Sequence, residues 1–168
     1  MPVIDQKFPT YLSFAQSDLQ QILGKDMEDA LHYKAHIFSS VILVNENGKL
    51  VIQKLPVEAQ LSTVNGIITR DFDGDGIKDI LIGGNKFDVE VETTAADASP
   101  GVLMRGTGNL NFKSLKPYES GFFIPYNVKD IQALETEGGL VILVSINNEA
   151  MRMFEGNTDS ASRTIAAK

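Results

Sequence analysis

The stretch Arg70–Ile82, which reads RDFDGDGIKDILI, carries most of the information in this chain. Four aspartates fall within nine positions, and an apolar run follows them directly: Asp71, Asp73, Asp75 and Asp79. Like charges at this spacing repel one another, and each carboxylate is costly to keep ionised without a cation nearby. The stretch therefore predicts a metal-binding loop that leads straight into a buried strand.

Calcium is the ion that this loop fits best, because it takes about six to eight oxygen ligands from carboxylates and backbone carbonyls. The alternating aspartates offer side-chain oxygens to a common centre, Gly76 permits the sharp turn, and Ile77 can add its carbonyl. Magnesium fits less well because it demands stricter octahedral geometry and keeps its waters. A surface turn without a metal is the remaining alternative. The predicted ligands of one structural Ca²⁺ are Asp71, Asp73, Asp75, Ile77 and Asp79.

An EF-hand has similar spacing in the first half of its loop but needs a bidentate Glu at the twelfth position and a helix on either side. The twelfth position here is Ile82, and both flanking segments have the pattern of strands. The sequence therefore excludes an EF-hand sensor.

Composition limits the possible functions of the 168-residue chain. The formal net charge of -7 and the pI of about 4.8 argue against nucleic acid or an anionic membrane as partner. The absence of cysteine excludes disulfides and thiolate chemistry. The longest apolar run, Leu140–Val144, is far shorter than the roughly 20 residues of a membrane span. The first residues, MPVIDQKF, lack the pattern of a secretory signal.

The N-terminal part predicts one helix followed by an extended segment. Ser13 with Gln16 forms a capping-box pattern, an apolar stripe follows, and Gly24 marks the end. From residue 31 to 37 apolar and polar residues alternate, which is typical of an extended chain. His32 and His36 share one face of that segment, where a surface role is favoured over a metal or catalytic role.

From residue 39 onward the chain predicts short strands and tight turns, and it contains an internal repeat. VILVNENGKLVIQKL (Val41–Leu55) aligns without a gap on GVLMRGTGNLNFKSL (Gly101–Leu115). Each unit continues through two more predicted strands, and a repeated four-stranded antiparallel sheet is typical of a β-propeller blade. We predict an all-β fold with a helix and lead-in at 1–38, a blade with the metal loop at 39–99, a blade without one at 100–155, and a flexible tail at 156–168.

The second predicted blade has Glu135–Gly139 where the aspartate loop would recur, and this segment is too short and too poor in ligands for a second ion. Two blades are also too few to close a propeller, which typically needs four to eight. The sequence therefore predicts either part of a longer protein or a homo-oligomer that completes a propeller.

The chain resembles the FG-GAP/VCBS repeat of integrin-α-like β-propellers in DFDGDGIKDILIGGN and in the preceding hairpin VILVNENGKLVIQKLP. With FPTYLSFAQSDLQQILG, ALHYKAHIFSSV and ESGFFIP it is similar to the C-terminal part of bacterial VCBS-repeat proteins that carry an ASPIC domain, over about Phe8 to Phe154. The resemblance implies a calcium loop between strands, with the five ligands named above. It also implies an exported protein, periplasmic, outer-membrane-associated or extracellular.

Two functions stay open at this point. The first is a non-catalytic, calcium-stabilised binding or scaffold module with an unidentified protein or carbohydrate ligand. The second is the propeller part of a hydrolase or lyase that acts on polysaccharide. The sequence contains no nucleophile elbow and no paired-carboxylate signature outside the metal loop, so no catalytic residue is predicted and binding is favoured.

Overall fold

The computed structural model describes residues 2–156 and 165–167, with side chains for 4–156. The chain divides into two compact units, Met1–Phe38 and Ser39–Lys168. The second unit contains all the β-strands of the described residues. The first unit contains short helices and a 3-10 turn: α1 (Pro2–Lys7), α2 (Tyr11–Ala15), α3 (Leu19–Leu23) and the 3-10 turn (Gly24–Met27).

The single N-terminal helix predicted from Ser13 to Gly24 is wrong, because the chain breaks between α2 and α3. Thr10 caps α2 by accepting from the Ser13 N–H, and Asp18 caps α3 by accepting from the Gln21 N–H at 2.7 Å. Because the Gln21 N–H bonds to the Asp18 side chain, Asp18 acts as an N-cap, and a new helix begins where the predicted one would continue. The predicted stop is confirmed: α3 ends at Gly24, whose φ is 60°.

The alternating segment 31–37 forms no strand in the structure. Side chains at both the odd-numbered and the even-numbered positions are exposed, and Leu31 and Tyr33 are 79% and 90% exposed. His32 and His36 are exposed as well. The alternation does not correspond to a buried face within this unit.

The second unit consists mainly of antiparallel β-sheet. A two-stranded sheet comes first and two four-stranded sheets follow, each with its strands in chain order. The strands of the two-stranded sheet are β1 (Val41–Glu46) and β2 (Lys49–Lys54); those of the middle sheet are β3 (Val64–Arg70), β4 (Asp79–Gly84), β5 (Val102–Gly106) and β6 (Phe112–Ser114); those of the last sheet are β7 (Val128–Thr136), β8 (Gly139–Ile146), β9 (Arg152–Gly156) and β10 (Ile165–Ala167).

The predicted all-β fold is confirmed in so far as the chain is mostly β, with few helices, but the four-stranded sheets do not follow the predicted bounds 39–99 and 100–155. Strands β3 and β4 pair with β5 and β6, not with β1 and β2. The repeat correctly marks two similar hairpins, yet it says nothing about which strand lies beside each hairpin. The predicted tail also differs at Ile165–Ala167, which pairs with β9; residues 157–164 and 168 lie outside the described residues.

The connection from β4 to β5 explains this grouping. Asn85 has a φ of 73° and is fully buried; its side chain donates to the Ser99 carbonyl at 2.8 Å and accepts from the Ser99 N–H at 3.1 Å. Lys86 and Ala96 pair across the same connection. These bonds fold residues 85–101 back, so that Val102 returns to the edge of β4 opposite Ile82.

Two apolar cores place the middle sheet between its neighbours. In β4 Leu81 joins the core shared with the last sheet, while Ile80 and Ile82 join the core shared with the β1–β2 hairpin. Every residue of β4 is therefore buried. The core toward the last sheet contains Leu81, Leu103, Phe122, Ile124, Val128, Ile131, Ile142, Val144, Ile146 and Phe154, and the core toward the hairpin contains Ala59, Ile80, Ile82, Val102 and Met104. Within the described residues, no ring of sheets closes.

The middle and last sheets approach closely at glycines. A Cβ atom built on Gly66 would lie 2.6 Å from Ile131 Cγ1, and one on Gly83 would lie 2.7 Å from Ile131 Cδ1. Asn65 adds a polar link, because its amide donates to the Val128 carbonyl at 2.7 Å. The middle sheet is thereby fixed on both faces, and its β3–β4 hairpin projects the aspartate loop from one end.

Candidate metal centre

The aspartate loop connects two paired strands and is closed at its base. Arg70, the last residue of β3, stands opposite Asp79, the first residue of β4. Residues 71–78 lie between them, and Gly74 and Gly76 have φ values of 76° and 86°. A side chain at these positions would be strained, so the two glycines let the backbone turn back on itself.

Asp71 organises the loop by accepting backbone N–H groups. Its Oδ1 accepts from Gly74 at 2.5 Å and from Asp75 at 3.2 Å, and its Oδ2 accepts from Gly76 at 2.9 Å. An aspartate that bonds the backbone a few residues later is a usual way to form a tight turn. The first predicted ligand therefore also sets the path of the chain around the site.

Asp79 is the buried member of the loop, with 2% of its surface exposed. One oxygen accepts the Phe72 N–H and the other accepts the Gly106 N–H, both at 2.8 Å. Burial nevertheless raises the pKa of this carboxyl above its ordinary value; the two N–H donors oppose the shift, and the charges of Asp73 and Asp75 add to it. A positive ion at this point would relieve the cost of keeping Asp79 ionised.

Three of the predicted ligands come together. Asp71, Asp73 and Asp79 each offer a carboxylate oxygen, and these oxygens lie within 4.8 Å of one another. Such a group could hold a metal ion, and among the described residues it is the only cluster of this kind. Hard oxygen donors are the ligands that calcium and magnesium take.

The other two predicted ligands, Asp75 and Ile77, lie in the exposed part of the loop. Asp75 lies outside the cluster of three, and its Oδ1 accepts the Ile77 N–H at 2.7 Å. Ile77 is 37% exposed, and its Cγ2 lies 2.7 Å from where a Cβ on Gly106 would stand. Asp75 and Ile77 thus lie in the exposed part of the loop, and the Asp75 carboxylate is not a member of the cluster of three.

Strand β5 supplies two residues that the sequence interpretation missed. The Nε of Arg105 lies 2.7 Å from Oδ2 of Asp73, and the N–H of Gly106 is one of the two donors to Asp79. Gly106 has to be small, because a Cβ there would lie 2.3 Å from the Lys78 carbonyl oxygen. These residues follow the loop by about 30 positions, so only the pairing of β4 with β5 reveals their role.

The two histidines and the second acidic segment are not members of the carboxylate cluster. His32 and His36 belong to the first unit and are part of no metal-type cluster among the described residues. Glu135, in the segment where the aspartate loop would recur in the second predicted blade, forms an ion pair with Arg70.

No protein-family model, curated protein or solved structure matches the chain. Among the helices that the structure describes, none is long and apolar enough to cross a membrane.

Proposed function

We propose that this chain is a non-catalytic, calcium-stabilised module of the FG-GAP/VCBS β-propeller type, which serves as a binding or scaffold part of an exported or cell-surface protein. The observation that carries the proposal is the cluster of Asp71, Asp73 and Asp79 at the end of a buried hairpin. The ion binds the folded loop and not the unfolded chain, so its binding free energy adds to the stability of the fold.

The arrangement of the sheets supports the propeller type. Three antiparallel sheets follow one another along the chain, and an apolar core lies between each consecutive pair. Blades of a propeller are four-stranded sheets packed against their neighbours in this manner. On this proposal β3–β6 and β7–β10 are two blades, and the β1–β2 hairpin is half of a preceding one.

The proposed calcium ligands are the side chains of Asp71, Asp73 and Asp79, completed by Asp75 and by the carbonyl of Ile77. The first three supply clustered carboxylate oxygens, of which the buried Asp79 is held by two backbone N–H groups. Asp75 and Ile77 lie in the same exposed loop, and on this proposal they would add oxygens toward the six to eight that calcium takes.

Calcium titration by calorimetry tests the proposal. Metal-free wild-type protein should bind one calcium per chain, with an affinity between the micromolar and millimolar values of sensors and extracellular modules. Asp73→Asn should remove the binding heat, because it deletes one of three clustered carboxylates. Asp97→Asn makes the same charge change at an exposed position outside the loop and should bind as the wild type does.

Stability gives an independent measure of the same site. At free calcium near 100 times Kd the wild type should gain about 2.7 kcal/mol in free energy of unfolding. Asp73→Asn should gain almost nothing. Wild-type protein that shows neither binding heat nor a calcium-dependent melting temperature would contradict the metal centre.

The exposed face of the β1–β2 hairpin, the first of the three sheets along the chain, is the surface on which a partner is proposed to bind. On the β1–β2 hairpin, Leu43 and Ile52 stand opposite each other and are 56% and 48% exposed; Leu50, on the same face, is 65% exposed. Exposed apolar side chains grouped in this way are typical of a contact surface. A further blade, from the same protein or from another copy of the chain, is the proposed occupant, and light scattering over a range of protein concentrations distinguishes the two.

A further inference from the structure

We infer that Arg105 is a built-in counter-ion of the aspartate loop, which competes with calcium for Asp73 and so lowers the calcium affinity of the site. The inference rests on the proposed calcium site and assigns a role to a residue outside the loop. It starts from the 2.7 Å contact between Arg105 Nε and Asp73 Oδ2.

The position of Arg105 aims its charge at the cluster. It lies on β5 directly before Gly106, the residue whose N–H binds Asp79. Its side chain is 45% exposed, whereas that of Asp73 is 18% exposed. The guanidinium therefore reaches from solvent onto one of the three clustered carboxylates, and it reduces their mutual repulsion when no divalent ion is bound.

The other arginine near the loop does not have this role. Arg70 precedes Asp71 in sequence, but its guanidinium pairs with Glu135 of the last sheet. Arg105, in contrast, is in direct ionic contact with Asp73, a member of the cluster. Calcium would bring two positive charges to the same carboxylates, so the guanidinium and the ion would repel each other and compete for Asp73.

Replacing Arg105 with Gln tests the inference. The variant should bind calcium more tightly than the wild type, with Kd lower by roughly two- to fivefold, a range set by the modest strength of a partly exposed ion pair. Without metal it should melt at a lower temperature than the wild type, because the three carboxylates lose their counter-ion. Both differences should shrink as salt rises from 50 to 500 mM.

Two control variants separate this effect from a general change of charge. Lys113→Gln removes a positive charge from the residue paired with Arg105 across β5 and β6, and it should leave Kd nearly unchanged. Arg105→Lys keeps the charge and should stay closer to the wild type than Arg105→Gln does.

Each outcome has one meaning. Tighter binding together with a less stable metal-free form supports the competing counter-ion. Equal or weaker calcium binding by Arg105→Gln overturns it, since a residue that only positions Asp73 would weaken binding when lost, and the proposed calcium site would still stand. Absence of binding by both the wild type and the variant overturns the inference together with the proposed site.

Discussion

The β3–β4 and β7–β8 hairpins open their respective four-stranded sheets, yet they are closed in opposite ways. In the first, eight residues separate the paired residues Arg70 and Asp79. In the second, only Glu137 and Gly138 separate the paired residues Thr136 and Gly139. The short turn is held by its own chain: the Thr136 hydroxyl donates to the Gly139 carbonyl at 2.8 Å, and Gly139 has a φ of 112°.

The long loop depends on groups beyond its own residues. Its buried Asp79 needs the Gly106 N–H of β5, and its Asp73 contacts Arg105 of the same strand. The two-residue turn is held by contacts within its own residues, whereas the charged eight-residue loop also draws on a backbone N–H and an arginine of a neighbouring strand. On the proposed calcium site, variants of the two hairpins are expected to respond differently to calcium and pH.

The largest effect is expected from Asp79→Ala. The substitution leaves the N–H groups of Phe72 and Gly106 without their acceptor, and each buried unpaired donor costs about 1–3 kcal/mol. We expect a loss of roughly 2–4 kcal/mol in free energy of unfolding at saturating calcium, measured by urea denaturation. Asp97→Ala, at an exposed position, should change stability by less than about 0.5 kcal/mol. If the urea midpoint of Asp79→Ala equalled that of the wild type, the long loop would not depend on its buried aspartate, and the contrast between the two hairpins would be wrong.

A smaller effect is expected from pH. The folded pKa of Asp79 is raised by burial above the unfolded value of about 3.9, so the folded state binds more protons between these two values. The contribution of Asp79 to the stability of the metal-free protein is therefore fully present below pH 3.9 and is lost as pH rises through the folded pKa. Calcium binds the deprotonated carboxylate, so calcium stabilisation should grow over the same window.

Denaturation of metal-free protein from pH 4 to 7 measures this dependence. The wild type minus Asp79→Asn isolates the group, because the variant has no proton to lose at this position. A difference between the two proteins that rose with pH, in the absence of calcium, would show that the donors from Phe72 and Gly106 outweigh burial.

The smallest effect is expected from Thr136→Val in the short turn. The variant loses one exposed hydrogen bond, which contributes about 0.5–1 kcal/mol. The loss should be the same with and without calcium, since no proposed ligand lies in this turn. Melting temperatures at both calcium levels measure it, and a loss that appeared only with calcium would mean that the two hairpins are coupled.

Features of short range were predictable from the sequence. The Asn47-Gly48 pair favours a tight hairpin turn, and both residues have positive φ in the structure. The stretch Arg70–Ile82 predicts a loop that leads straight into a buried strand, and in the structure every residue of β4, which begins at Asp79, is buried. In each case the deciding interactions lie within a few residues, where backbone preferences and the alternation of apolar side chains act directly.

The tertiary structure alone decided which strands share a sheet and which residues complete the loop. The repeat suggested that Val41–Leu55 belongs with β3 and β4, whereas the buried Asn85 folds the next connection back and brings β5 to the free edge of β4. The same pairing brings Arg105 and Gly106 to the aspartates. The spacing of residues along the chain indicates that four carboxylates share one loop. The donors about 30 residues away are brought to this loop by strand pairing and burial, which depend on the whole unit at once.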